Sequence, residues 1–272
     1  MLVENPVLDR PYDQANGNLA QRALSQEAHV YLSDFDTIQS QLSYTDALSF
    51  LNKQETEGLA KIKSTHRFNE CLYGRAALKK QLGCYLNCHP RDVELERDSF
   101  NKPIVGTSFC GRKLEFNVSH SGNRFAMIFS LDQPVGIDIE VIDDKLSIKD
   151  LATIAERNFT HEELAYLNRV CFTRYKQTFF KIWTLKEALL KALGIGLFLP
   201  LNHINFNLNQ FTHTFQISEI IASDKQTTRL DKYKTVNARL MAANDSYSLA
   251  IASTTNLADI KFYDMPDFMK ES

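Results

Sequence analysis

The chain predicts an α+β protein built from two similar-sized α+β halves. Three observations carry this. A strand, a set of helices and a group of strands follow one another twice, with the midpoint near residue 134. Two long helical patterns run into glycines, and the strands between them alternate apolar and polar residues. The 272 residues, 44% apolar and 24% charged, are enough to bury a substantial core and exclude a disordered or collagen-like chain.

Taken in order, the first 27 residues are polar and rich in turn formers, and are read as an extension before the first half. Residues 28–133 form the first half and 134–272 the second. "AHVYLSDFD" alternates as a strand. "SYTDALSFLNKQETEGLAKIK" and "STHRFNECLYGRAALKKQLG" have helical spacing, the second ending at Gly83. "DVELERDSFNKPIV" reads as a hairpin turning at Asn101-Lys102-Pro103. "KLEFNVSHS" and "RFAMIFSL" are strands joined by Ser-Gly-Asn, and "QPVGIDIEVI" is another. In the second half, "SIKDLATIAERNF" is helical. "THEELAYLNRV" opens with Thr160 and Glu163 in capping-box positions, and "YKQTFFKIWTLKEALLKALGIG" is a helix ending at Gly194 or Gly196. "HINFNLN", "TFQISEI", "NARLMA" and "YSLAIAS" read as strands.

Composition narrows the function. A net charge of −2 supplies no basic field for nucleic acid, so an anionic ligand needs a local cluster of cations. Five irregularly spaced cysteines fit a reducing compartment, and Cys84-x-x-x-Cys88-His89 lacks the second pair of a zinc site. The N-terminus lacks the basic-then-apolar order of a signal peptide, and no apolar run is long enough to span a bilayer. The expectation is a cytoplasmic protein with no membrane partner.

The chemistry-bearing residues start in "VGIDIE". Side chains two apart on a strand share a face, so Gly136, Asp138 and Glu140 lie opposite Val135, Ile137 and Ile139. Two neighbouring carboxylates repel unless water or a cation separates them. In "FFKIWTLKEALLKALGIG", Trp183, Glu187 and Lys191 are four apart on one helical face. Trp183 reads as a core anchor, and Glu187 with Lys191 is open to reading as a surface ion pair. The alternative joins helix to strand: Asp138, Glu140 and Glu187 as oxygen donors to one Mg²⁺, or Mn²⁺ in its place, with Lys191 facing a phosphate. In "FNVSHS", Asn117, Ser119 and His120 stand before a turn that suits phosphate contact.

In their order and spacing, "NKPIV", "FNVSHSGNRFAMIF", "VGIDIE" and "FFKIWTLKEALLKALGIGL" resemble the motifs of the 4′-phosphopantetheinyl transferases of the larger, surfactin-synthetase-activating type. The resemblance covers roughly residues 97–197. It implies a pseudo-twofold pair of halves with coenzyme A in the cleft between them. It also implies transfer of the phosphopantetheine arm to a serine of an acyl, peptidyl or aryl carrier protein, free or as a domain of a synthase, by a monomer. Residue by residue, Asp138, Glu140 and Glu187 match the metal ligands and Glu187 the base. Lys191 matches the lysine at the leaving phosphate. Asn117, Ser119 and His120 match the cofactor-side turn, with His120 among the catalytic set. Arg97 and Lys102 match the basic stretch at the adenosine end. Asn101 replaces the usual glycine before Lys102, and Gly58 stands where a basic residue is common, leaving Lys61, Lys63 and Arg67 as substitutes. Two other classes compete: a metal-dependent phosphodiesterase or nuclease, and a non-catalytic coenzyme A or carrier-binding module. The Glu-x-x-x-Lys spacing and the acidic balance count against the nuclease.

Overall fold

The computed structural model describes residues 24, 27–106, 111–143, 145–196, 199–206, 212–216, 235–243, 246–254 and 259–264. Most of the expected N-terminal extension, the end of "TFQISEI" and Cys110 lie outside them. Leu24 and Glu27 are the described residues of that extension; Leu24 is buried in the core and Glu27 opens the first strand.

In the first half, β1 (Glu27–Asp34) leads into three short helices: α1 (Phe35–Gln41), α2 (Tyr44–Ser49) and α3 (Lys53–Leu59). The long helix α4 (Thr65–Leu86) follows, then β2 (Leu95–Arg97), β3 (Pro103–Val105), β4 (Leu114–Ser121) and β5 (Arg124–Leu131). The second half starts with β6 (Val135–Val141), then α5 (Ile148–Asn158), α6 (His161–Leu167) and the long helix α7 (Tyr175–Leu193). It closes with β7 (Thr212–Gln216), β8 (Thr235–Ala243), β9 (Tyr247–Ser253) and β10 (Asp259–Asp264). The mixed α+β class expected from the sequence is the class observed.

The two sheets share a three-strand core, β1-β5-β4 in one and β6-β9-β8 in the other. Their orders are β10-β1-β5-β4 and β6-β9-β8-β7. In each, the strand that opens the half pairs antiparallel with the last strand of an antiparallel ladder. β10 then crosses back to pair in parallel with β1, so the first sheet contains a strand from the end of the chain. The apolar faces of the sheets meet through Ala28, Val30, Ala126, Ile128, Ile137, Ile139 and Ile251. A long helix covers the far side of each sheet, over its own core cluster.

Several boundaries have local causes. The expected single helix over 43–63 is two short ones, because Asn52 caps α3 in a capping box with Glu55. α4 runs past Gly83 to Leu86. The missing side chain at Gly83 instead admits the returning chain: a Cβ there would lie 2.7 Å from the Cys88 carbonyl oxygen. Asn87 ends the helix in the left-handed region, φ 52°. "HINFNLN" is not a strand over its described residues: 201–203 form a 3₁₀ turn and 204–206 are irregular.

Each long helix also carries a fully buried lysine. Lys79 on α4 donates to Glu55, the capping-box acid of α3, at 2.7 Å, and to the Arg91 carbonyl. Lys186 on α7 donates to Glu163, the capping-box acid of α6, at 2.8 Å, and to the Leu201 and Ile204 carbonyls. The same device ties helix, short helix and following loop together in both halves.

Candidate active site

The site grows from two sheet edges that face each other. β6 is an edge strand, and its outward N–H groups need partners if water is to be excluded. β4, the edge of the other sheet, supplies them from side chains. Asn117 Oδ1 accepts from the Ile137 N–H, Ser119 Oγ from Ile139 and Ser121 Oγ from Val141. Residues 117, 119 and 121 share one face of β4, so a period-two row of small polar groups joins the halves.

On β6 the glycine is required by close packing. A Cβ at Gly136 would sit 2.1 Å from the Ala188 carbonyl oxygen and 2.4 Å from the Ala192 nitrogen. α7 therefore lies directly on the strand, bringing Glu187 and Lys191 beside Asp138 and Glu140.

Asp138 is buried. Its Oδ1 accepts from Lys191 Nζ at 2.6 Å and from Ser119 Oγ at 2.9 Å, and Lys191 Nζ also donates to Ser119 Oγ at 2.9 Å. Its other oxygen, Oδ2, is buried with no hydrogen-bond partner. Glu140 accepts from Ser121 Oγ at 2.7 Å. Burial, then the charge of Asp138, pushes the Glu140 carboxyl up to about 7, with Glu187 adding and Ser121 and Lys191 opposing. Glu187 is also raised, by burial and by Asp138, against the pull of Lys191. The charge of Asp138 thus reaches both glutamates. The three acids are not a finished cage: among the described residues no three His, Cys, Asp or Glu side chains converge as a ready-made metal centre.

His120 lies between Ser119 and Ser121 and so points to the opposite side of β4, edge-on to Phe35 with ring centroids 5.9 Å apart. The residue is exposed, yet the protein around its ring lowers its pKa; Glu70 on α4 opposes this, and Lys191 and Arg67 add to it. Of the three basic candidates near the start of α4, Arg67 is the one whose charge reaches His120.

Arg97 is exposed and donates to the Asn101 carbonyl, across a turn in which Asn101 holds φ 67°. Asn101 takes the left-handed backbone that a glycine would otherwise supply. Lys102 turns inward, and its ammonium donates to the Lys191 carbonyl at 3.0 Å and to the Val135 carbonyl at 3.3 Å. Trp183 stacks on Phe179, with centroids 5.9 Å apart, at the edge of the core. Cys71, Cys84, Cys88 and Cys171 are free thiols, and burial raises Cys84 to about 12, which suits inert packing. No helix of the described residues is long and apolar enough to cross a membrane.

Sequence reading missed Ser121 and the buried role of Lys186. Ser121 was detectable: it continues the Asn117, Ser119 period opposite Asp138 and Glu140. A lysine one residue before a site acid gives no sign that it faces the interior.

Comparison with known proteins matches both halves. A family model described as 4′-phosphopantetheinyl transferase, N-terminal, matches residues 38–131, and one described as the 4′-phosphopantetheinyl transferase superfamily matches 134–252. The 4′-phosphopantetheinyl transferase HetI of Nostoc sp. is 32% identical over 64% of this chain and 71% of its own length. The 4′-phosphopantetheinyl transferase gsp of Aneurinibacillus migulanus is 29% identical over 60% of this chain and 64% of its own. The human L-aminoadipate-semialdehyde dehydrogenase-phosphopantetheinyl transferase is 26% identical over 60% and 54%. The duplicated fold with charged groups at the seam is thus that of a group-transfer enzyme. The chain belongs to the 4′-phosphopantetheinyl transferases.

Proposed function

We propose that this enzyme transfers the 4′-phosphopantetheine arm of coenzyme A to a serine hydroxyl of an apo acyl, peptidyl or aryl carrier protein, as a cytoplasmic monomer in a Mg²⁺-dependent reaction. The serine oxygen forms a bond to the phosphorus nearer pantetheine. The bond from that phosphorus to the bridging oxygen breaks, and adenosine 3′,5′-bisphosphate leaves with the electron pair. The serine proton passes to Glu187, directly or through a water.

The observation that carries this reading is the cluster of Asp138, Glu140, Glu187 and Lys191 at the seam of the two halves. A buried unpartnered carboxylate oxygen and two carboxyls pushed upward suit a site that receives a cation with waters and phosphate oxygens. Asp138, Glu140 and Glu187 would hold the metal, which when bound neutralises charge on the pyrophosphate. The chain's own groups supply the rest. Burial, then the charge of Asp138, keeps Glu187 more basic than a solvated glutamate, which suits a proton acceptor. Lys191 carries a cation to the leaving phosphate, and Ser119 orients it. His120 and Arg67 extend positive and hydrogen-bonding capacity away from the acids, toward the nucleotide phosphates. Arg97 contributes at the adenosine end. Lys102 is left out of this set because its ammonium faces into the seam between β6 and α7.

Chromatography tests this directly. The protein, an apo carrier protein, coenzyme A and Mg²⁺ should release adenosine 3′,5′-bisphosphate, and omitting the carrier or adding a chelator should stop the release. Coenzyme A that binds and stays intact with every carrier type would favour a non-catalytic binding module.

A further inference from the structure

We infer that Lys102 is a positioning residue that acts on the transfer step through Lys191. This rests on the transferase reading and refines it, because a lysine in a basic stretch would otherwise be taken as a ligand contact. Two carbonyls hold its ammonium, that of Val135 at the start of β6 and that of Lys191 in the last turn of α7. These belong to the two elements that pack backbone to backbone at Gly136. Lys102 is therefore a rivet from the first-half hairpin into the strand–helix seam of the second half.

The hairpin is built to present it. Asp98 Oδ1 accepts from the backbone N–H of both Phe100 and Lys102, Arg97 holds the Asn101 carbonyl, and Asn101 adopts the left-handed turn. A fixed ammonium at the end of α7 also complements the negative end of the helix dipole. On the same residue, the Lys191 side chain reaches Asp138 and Ser119. Fixing the backbone of Lys191 thus fixes the origin of the side chain that meets the phosphate, and a displacement of about 1 Å at such a group costs on the order of 100-fold in rate.

The test uses the full-length protein with Lys102→Met, Lys102→Arg, Lys191→Met and the double Met variant. Coenzyme A affinity is measured by calorimetry without carrier, and transfer by single-turnover kinetics with saturating substrates. Lys102→Met should slow transfer by about 10-fold to 100-fold while changing the Kd for coenzyme A by less than about 3-fold. The double variant should be no more than about 2-fold slower than Lys191→Met alone, since the first residue acts through the second. Lys102→Arg, which keeps donors, should recover part of the rate. A Kd raised about 10-fold or more with the saturated rate kept would overturn the inference, because Lys102 would then be gripping the ligand. So would rate losses that multiply in the double variant.

Hydrogen exchange gives a readout that needs no activity. Lys102→Met should speed exchange at the start of β6 and the last turn of α7, and unchanged exchange there would overturn the inference. If Lys102→Met does not fold, Asp98→Ala loosens the same turn and should show the same pattern at smaller size. A wild-type protein that binds no coenzyme A and transfers nothing would defeat the transferase reading, and the exchange result would still decide whether Lys102 rivets the seam.

Discussion

The two halves have the same frame and fill it differently. Where β1 meets α4, His29, Tyr31, Gln81 and Tyr85 form a buried polar network. His29 Nδ1 and the Tyr85 hydroxyl are 2.7 Å apart, the Tyr85 and Tyr31 hydroxyls 3.1 Å, and Gln81 donates to Tyr31 at 3.0 Å. Burial raises both tyrosines and lowers His29 to about 4, so every member stays neutral. Tyr263 from β10 stacks on Tyr31, with centroids 5.1 Å apart, and covers the network. Where β6 meets α7, Asp138, Glu140, Glu187 and Lys191 take the corresponding place, and burial, then the charge of Asp138, raises both glutamates. The lesson is that the duplicated frame does not itself bring chemistry. One strand–helix seam holds titratable groups that burial keeps neutral. The other carries three acids and a lysine.

This contrast can be broken from either side. The largest effect should come from Glu187→Gln, which should lower the transfer rate by about 100-fold to 10,000-fold with coenzyme A binding largely kept. Single-turnover kinetics check this, and near-normal turnover would remove Glu187 from the mechanism. Next is Lys186→Met, which strands the buried Glu163 and should cost about 3–5 kcal/mol in urea unfolding. Its counterpart Lys79→Met should cost less, because Arg75 also pairs with Glu55, at 3.2 Å.

Smaller still is Glu140→Gln. Its carboxyl, raised to about 7 in the folded state, keeps a proton that the unfolded chain has lost. Folding stability linked to this group is therefore full below about pH 4.5 and falls as pH rises toward 7. Glu140→Gln should raise stability at pH 8 by on the order of 1–3 kcal/mol and flatten that pH dependence, as unfolding curves across pH 5–8 would register. Added Mg²⁺ should narrow the gap between variant and wild type. The smallest effect is Tyr85→Phe in the neutral network, which should cost about 0.5–1.5 kcal/mol for the lost hydroxyl and leave transfer unchanged. A large loss of transfer there would mean that the neutral seam takes part in the reaction.

Much of this was legible in the sequence where one local rule governed the outcome. The capping box at Thr160 and Glu163 and the alternation of "VGIDIE" follow from short-range geometry and appear as read, and of the two glycines expected to end the long helix, Gly194 and Gly196, Gly194 is the cap. The acids and Lys191 could be placed on their faces because strand and helix periods fix direction. What failed depended on distant partners. The apolar alternation at Ile204 and Phe206 imitates a strand, but those residues wrap the buried Lys186 ammonium. Gly83 looked like a stop, yet it answers to the chain that packs against it. "DIKFYD" was not read as a strand, because its partner β1 lies at the other end of the chain. The inward turn of Lys102 depends on carbonyls from two other elements, which no spacing rule in the hairpin contains.

The most direct test of the central claim is the intact mass of an apo carrier protein after incubation with the enzyme, coenzyme A and Mg²⁺. The account predicts a gain of one phosphopantetheine on the carrier serine, lost with chelator or with Asp138→Ala, and kept with Tyr85→Phe. A carrier mass that stays unchanged across acyl, peptidyl and aryl types, with the enzyme folded and binding coenzyme A, would contradict it.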